Sequence, residues 1–342
     1  MVRSASEEGR RLNAIEASWR GWSGLTLLLL PLSGIFCLVS AIRRLFFRVG
    51  LLSSVSLEVP VIVVGNITVG GTGKTPLVIW LAKKLQQWGY KPGIVTRGYG
   101  GGSDRWPCEV NQNTSAKQVG DEAVLLKRRS GCPVYAGPDR PAVARQLLTD
   151  HQCDLIISDD GLQHYALARD LEIVVIDGER WFGNGLCLPA GPLRERRGRL
   201  AEADLVIVNG ASKGCEYRMH LKATDAVALD HRGESKALIQ FKNDRMHAIA
   251  GIGYPDRFFN MLEGLGLKLE RHPFPDHHAF TPDDLKPFSS QTVLMTEKDA
   301  VKCELFAQPS HWYVPVVADV DNGFEEALMT LTKRLKDGQK TA

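Results

Sequence analysis

Short runs of β-branched residues alternate with stretches of helical period along most of this chain. Val61 to Val64 is one apolar run that stops at glycines. From Pro76 onward Leu77, Val78, Leu81, Ala82, Leu85 and Trp88 recur on one helical face until Gly89 ends it. The alternation then repeats: residues 93–96 read as a strand, 116–129 as a helix, 133–136 as a short strand, 140–150 as a helix and 154–158 as a buried strand, with two more strands at 172–176 and 204–209. Such a chain predicts an α/β fold, a doubly wound and mostly parallel sheet with helices on both faces. Between about Gly210 and Gly233 the pattern weakens. A second, smaller α/β unit follows, with strands near 237–241, 247–252 and 292–296, a helix near 256–265 and a final helix near 324–335.

One stretch fits neither period. From Trp22 to Ile42 there is no charged residue, and Leu25 to Leu30 is nearly all leucine. At about 1.5 Å per helical residue this just crosses a hydrocarbon core of about 30 Å. Pro31 and Gly34 are places for a kink, and Arg43, Arg44 and Arg48 with Phe46 and Phe47 form a basic, aromatic collar suited to a membrane surface. Arg3, Arg10, Arg11 and Arg20 precede the stretch, so the distribution of positive charge does not fix its topology. A signal peptide competes, because Val39-Ser40-Ala41 has the small residues of a cleavage site, but the glycine-rich loop ending in Lys74-Thr75 downstream suits a nucleotide site inside the cell. A buried core helix fits poorly with a segment lacking a polar face.

Composition narrows the picture only modestly. The chain has 342 residues, 24% charged and 44% hydrophobic, with a net charge of +3. That charge argues against a broad nucleic-acid surface. Seven cysteines, odd in number and never in a C-x-x-C pair, suit a reducing compartment better than a disulfide framework or a zinc site.

The chemistry begins where the first strand ends, in VIVVGNITVGGTGKT at residues 61–75. Backbone N–H groups can converge on an anion only where no Cβ blocks the approach. Gly70, Gly71, Thr72 and Gly73 supply that loop, Lys74 can reach the outer phosphates, and the Thr75 hydroxyl can ligate Mg²⁺. The loop resembles the P-loop family in a variant form, since Thr68 stands where the usual spacing has glycine. The expected division is therefore 1–48, tail and membrane-anchoring helix; 49–225, P-loop nucleotide-binding domain; and 226–342, the smaller α/β domain.

Asp159-Asp160-Gly161 ends a later strand, where an acidic tip holds Mg²⁺ in P-loop proteins. Pro189-Ala190-Gly191-Pro192-Leu193-Arg194-Glu195 is a rigid loop at a strand exit, with cations and a carboxylate to offer. His277 and His278 adjoin Asp276; neighbouring residues rarely face one ion, so an acid–base role or loop packing suits them better than a metal pair. Asp121 on its own reads as a solvated helix carboxylate.

Taken as a set, these stretches resemble the tetraacyldisaccharide 4′-kinase family of lipid A biosynthesis. The resemblance rests on residues 64–76, Thr96-Arg97-Gly98-Tyr99, Gly120-Asp121-Glu122, Asp159 through His164, Leu188 through Glu195, Phe274 through His278, and Thr296-Glu297-Lys298-Asp299. It implies a kinase that moves the γ-phosphoryl group of ATP to the 4′-hydroxyl of a tetraacylated glucosamine disaccharide 1-phosphate, giving lipid IV_A. It also implies catalysis at the cytoplasmic face of an inner membrane, with no protein partner. In this family an Asp–His pair activates the sugar hydroxyl, which carries over to Asp121 and His277, with adjacent His278 leaving the register open. Asp159, Asp160 and Glu195 carry over as Mg²⁺ ligands or their water partners. Arg194, with Lys74, would offset charge on the transferred group.

The rival reading is a membrane-attached P-loop ATPase that acts as a regulatory switch, which has no need of an Asp–His pair. A GTPase lacks its base-reading motif here: Gly210 follows Asn209, and Thr296-Glu297-Lys298-Asp299 has the wrong spacing. A purely structural membrane protein leaves the phosphate loop unexplained.

Overall fold

The computed structural model describes residues 15–214, 217–230, 233–242, 244–289 and 291–338. Arg3, Arg10, Arg11 and Cys215 lie outside the described residues.

The first sheet is built on β1 (Val61–Gly65), β2 (Pro92–Thr96), β3 (Cys108–Glu109), β4 (Val134–Ala136), β5 (Leu155–Asp159), β6 (Leu171–Asp177), β7 (Leu205–Asn209) and β8 (Tyr217–Ala223). A late strand, β15 (Val316–Val320), completes it in the order β15-β8-β7-β6-β1-β5-β2-β4-β3. Its inner pairings are parallel, and only β3 and β15 at the edges run antiparallel. Successive side chains of a strand face opposite sides, and β1 uses both. Ile62 and Val64 pack with Leu77, Leu81 and Leu85 of the helix Lys74–Gln87, whereas Val61 and Val63 pack with Val143, Ala144 and Leu147 of the helix Arg140–Asp150. With β5 on one side of β1 and β6 on the other, the strand order reverses there and opens a crevice at the carboxyl ends.

The helix expected over 116–129 is broken. It forms as Ala116–Val119 and Asp121–Ser130 around Gly120, whose φ of 85° and ψ of 156° are not helical. An added Cβ at Gly120 would fall 2.1 Å from the Tyr99 carbonyl oxygen, so only glycine lets the two segments meet. The break puts Asp121 in the first turn of the second helix.

The second sheet contains β9 (Ala226–Ala228), β10 (Ser235–Lys236), β11 (Arg245–Ala250), β12 (Lys268–Pro273), β13 (Val293–Thr296) and β14 (His311–Val314), in the order β10-β9-β14-β13-β11-β12. The strand expected near 237–241 is instead a 3-10 turn, Leu238–Phe241. Its Leu238 and Phe241 are buried while Ile239 is exposed, a spacing that an alternating strand would not give. The expected unit 226–342 also needs a correction. After β14 the chain returns through Pro315 to the first sheet, where β15 pairs with β8 and the helix Asn322–Lys336 buries Phe324, Leu328 and Leu335 in the first core. The reason is the apolar stripe of that helix, which the first core covers. Both chain crossings lie side by side, since Thr224 donates through its N–H (3.0 Å) and its hydroxyl (3.1 Å) to the Pro315 carbonyl.

The apolar segment near the amino end is a helix, Gly24–Arg48, capped by Ser23 and Thr26 and containing Pro31. Its polarity is inverted relative to a core helix. Thr26 and Ser33 are buried, Ser33 donating to the Cys187 carbonyl at 2.7 Å, while Leu28 is 75% exposed and Leu27, Leu32, Ile35 and Leu38 are exposed with it. Small polar residues face protein and large apolar ones face outward, an arrangement unfavourable in water over so large a patch. The six described cysteines are free thiols.

Candidate active site

Between the two sheets lies a cleft of about 1080 Å³. The phosphate loop lines it, with Gly253 packed directly on Gly70 and Gly71; residues 252–254 and 276–277 line it from the second sheet's side, and Phe36, Val39, Ser40 and Arg43 of the helix Gly24–Arg48 also line it.

The loop is held open by its neighbours. Gly73 caps the helix Lys74–Gln87 with φ 94°, and a Cβ there would lie 2.5 Å from Asn209 Nδ2, which donates to the Thr72 carbonyl at 3.0 Å. The end of β7 thus fixes the loop from below. From above, Arg180 Nη2 donates to the Gly71 carbonyl at 2.7 Å, while its Nε pairs with buried Asp177 at 2.6 Å. Arg257, from the second sheet's side, pairs with the same carboxylate. Gly70, Gly71, Thr72, Gly73, Lys74 and Thr75 all line the cleft.

Asp160 sits between two cations. Lys74 Nζ is 3.3 Å from its Oδ1 and Arg194 Nη1 is 3.2 Å from its Oδ2; Lys74 also donates to Asn66 Oδ1 at 3.2 Å. Burial alone would raise the Asp160 pKa, but Lys74 and Arg194 outweigh it and hold the carboxyl well below its ordinary range. Asp160 takes φ 48°, in the left-handed region, which turns its side chain away from the line of β5 and into the cleft.

Asp159 is a different case. It is buried just behind the wall, 1% exposed, with Oδ2 near Thr96 Oγ1 at 3.4 Å and Oδ1 without a hydrogen-bond partner among the described residues. Burial, then Glu122 and Asp160, push its pKa up to about 7. Arg140, itself buried, donates to the Asp159 carbonyl at 2.9 Å and supports this acidic tip from beneath. A buried carboxylate oxygen with no donor is what a hard divalent cation would satisfy. Thr75 and Glu195 share the cleft; Glu195 accepts from Gln163 Nε2 at 2.8 Å and from the Tyr165 hydroxyl at 2.6 Å.

Also at the cleft, His277 Nδ1 lies 3.3 Å from Asp121 Oδ1. His278 turns away to Asp284 at 3.3 Å, so of the two adjacent histidines only His277 faces Asp121. His277 occupies φ 57° and packs against the Tyr99 ring at 4.8 Å. It is the member of the pair that lines the cleft; Asp121, 4% exposed, stands behind it. Burial would raise the Asp121 pKa, but the hydrogen bond to His277 and the nearby Lys298 and Lys302 lower it to about 2. For His277, burial acts downward, yet Asp121 prevails and raises its pKa above the ordinary value.

Several neighbours of this pair were not singled out from the residues alone. Lys298 Nζ contacts Glu122 Oε1 at 3.1 Å and His277 Nε2 at 3.4 Å, and Lys302 Nζ lies 3.6 Å from Asp121 Oδ2 and 2.8 Å from Asp299. The signal was present in Thr296-Glu297-Lys298-Asp299, whose lysine follows a buried strand. His164, also in the cleft, is pushed down to about 4 by burial and then by Arg140 and Arg97.

The arrangement brings a phosphate cradle, two cations, an acidic tip and an Asp–His pair around one cleft, a set suited to phosphoryl transfer onto a hydroxyl. Comparison with known proteins agrees. A family model described as tetraacyldisaccharide-1-P 4′-kinase matches residues 25–333. The tetraacyldisaccharide 4′-kinase of Methylobacillus flagellatus is 50% identical over 325 residues, covering 94% of this chain and 97% of that one. That of Nitrosococcus oceani is 50% identical over 307 residues, 90% of each. Among solved structures, LpxK from Aquifex aeolicus in complex with ATP superposes with a TM-score of 0.74 at 28% identity, over 91% of this chain and 99% of that one.

Proposed function

The chain belongs to the tetraacyldisaccharide-1-P 4′-kinase family, and from that premise we propose how its cleft moves the γ-phosphoryl group of ATP to the 4′-hydroxyl of the acylated disaccharide. The observation that carries the reading is the His277–Asp121 contact, whose histidine lines the same cleft as Lys74.

ATP enters with its phosphates on the N–H groups of residues 70–75. Lys74 and Arg194 then exchange their shared partner, Asp160, for phosphate oxygens, so the cations are already placed and need little reorganisation. Asp159, Asp160, Thr75 and Glu195 are the residues that would hold Mg²⁺. Bound there, Mg²⁺ supplies positive charge to the phosphates.

A sugar hydroxyl is a weak nucleophile, and its proton must leave as the new P–O bond forms. His277 faces the cleft with Nδ1 toward Asp121, and the pair takes up the hydroxyl proton as a unit once Nε2 gives up its contact with Lys298. The histidine is the cleft-side member of the pair. Lys298 keeps the imidazole oriented by its contact with Nε2.

The substrate carries four acyl chains and stays in a bilayer. The outward-facing leucines of the helix Gly24–Arg48 suit the same bilayer, and its inner face reaches the cleft through Phe36, Val39 and Arg43. We place the catalytic domains on the cytoplasmic side of an inner membrane, where ATP is available.

The test is transfer of label from γ-labelled ATP to tetraacyldisaccharide 1-phosphate in mixed micelles. Label on the lipid, lost in Lys74→Ala, is expected. Release of inorganic phosphate with no labelled lipid would instead support the ATPase switch.

A further inference from the structure

A second cluster of metal-ligating side chains lies outside the cleft, where the edge strand β12 meets β11. The parallel register sets His247 opposite Glu270 and Ile249 opposite His272, so one face of the ribbon collects His247, Glu270 and His272. We propose that these three residues form a binding site for a divalent transition-metal ion of the zinc class, distinct from the phosphate cleft.

The two imidazoles share a direct hydrogen bond that an ion would replace, while the carboxylate reaches neither of them. His247 Nδ1 and His272 Nε2 are 2.9 Å apart. Glu270 presents one oxygen at 3.8 Å from His247 Nδ1 and the other at 3.8 Å from His272 Nε2. At 3.8 Å neither is a hydrogen bond. Ligands bound at about 2.0–2.1 Å around a tetrahedral zinc stand about 3.4 Å from one another, so a small opening of the two rings and a small inward swing of the carboxylate complete the set. Phe288 packs against both imidazoles, with ring centroids 4.7 and 4.6 Å away, and restricts their rotation. Two imidazoles and a carboxylate select zinc, cobalt or nickel over magnesium, which prefers oxygen ligands.

The position gives the site a consequence. Only Pro273 to Asp276 separate His272 from His277, so an ion that ties β12 to β11 also restrains the segment that carries His277 to the cleft.

The experiment uses the full chain in detergent micelles, stripped with a chelator and titrated with ZnCl₂ by calorimetry in excess Mg²⁺, with Co²⁺ as the spectroscopic probe. One ion per chain is expected, with a cobalt band shaped by two nitrogens. Glu270→Gln should weaken zinc by at least the roughly 10–100-fold that changes around a metal site cost, and His272→Gln should abolish binding. A His277→Gln, His278→Gln double variant should keep it. Because Glu270 is 70% exposed at its side chain, Glu270→Gln folds normally and decides the matter even if His272→Gln does not. No saturable zinc binding by the wild-type chain overturns the site. So does binding that Glu270→Gln leaves unchanged, or that the double variant removes.

Discussion

His277 Nδ1 stands 3.3 Å from Asp121 Oδ1, joining a loop of the second sheet to a helix of the first beside the cleft. The two residues come from different sheets, so their contact exists only when the domains are packed as they are here. Replacing either member should lower kcat by about 10²–10⁴, the usual range for a positioned acid–base group, with KM for ATP little changed. Steady-state kinetics of Asp121→Ala and His277→Ala check this; an unaltered kcat in both removes the pair from the chemistry.

The pair also sets a pH dependence. Asp121 raises the His277 pKa above 6.5, so the imidazole holds its proton to higher pH than a free histidine and is a poorer acceptor below that value. The acid limb of kcat/KM should therefore lie above pH 6.5, and Asp121→Asn should move it lower. For stability the sign is opposite. Asp121 is held at about 2 against an ordinary 3.8, so its contribution is full above 3.8 and is lost as pH falls toward 2. Denaturant unfolding of wild type and Asp121→Asn between pH 5 and pH 2 should converge at the acid end.

Lys298 lies against the imidazole and lowers its pKa as a like charge. Lys298→Met should shift the acid limb to higher pH and reduce kcat by about 10-fold or more, a loss typical of an acid–base group left unaligned. A purely structural lysine would change thermal stability and leave the pH limb in place.

Gly120→Ala places a Cβ 2.1 Å from the Tyr99 carbonyl at a φ of 85°. A cost of about 1–3 kcal/mol is expected from the backbone conformation alone. Because Asp121 begins the next helix, kcat should fall along with Tm. A variant that loses stability but keeps its kcat, or loses neither, would show that the break does not position Asp121.

Removal of residues 1–42 takes away Phe36, Val39 and Ser40 from the cleft rim together with the exposed leucines. The truncated protein should leave the membrane fraction. KM for dispersed lipid acceptor should rise several-fold while KM for ATP holds. Continued sedimentation with membranes would contradict the anchoring role of the helix.

Lys74→Ala should abolish phosphoryl transfer and leave the fold intact, since the lysine is bonded to Asp160 and Asn66 and not to the core. Circular dichroism and label transfer, measured on the same preparation, separate the two outcomes.

Much of this protein was legible in the residues alone. The apolar run 61–64, the glycines after it and the helical face from Leu77 to Leu85 dictate strand, loop and helix, because each is a local choice of period and backbone freedom. The presence of β5 and β6, though not their exact ends, and the uncharged apolar run from Trp22 to Ile42 are local in the same sense.

What tertiary structure decided are relations between distant residues. A helix predicted over 116–129 breaks at Gly120 because Tyr99 approaches from another loop, a clash that no window of sequence contains. The return of residues 316–336 to the first sheet depends on which core has room for Phe324 and Leu328. Asp121 looks like a solvated helix carboxylate until the second sheet brings His277, Lys298 and Lys302 to it; the choice between His277 and His278 is made by where Asp284 lies. Period and composition specify elements, but the charge around a buried carboxylate is set by neighbours far away in the chain.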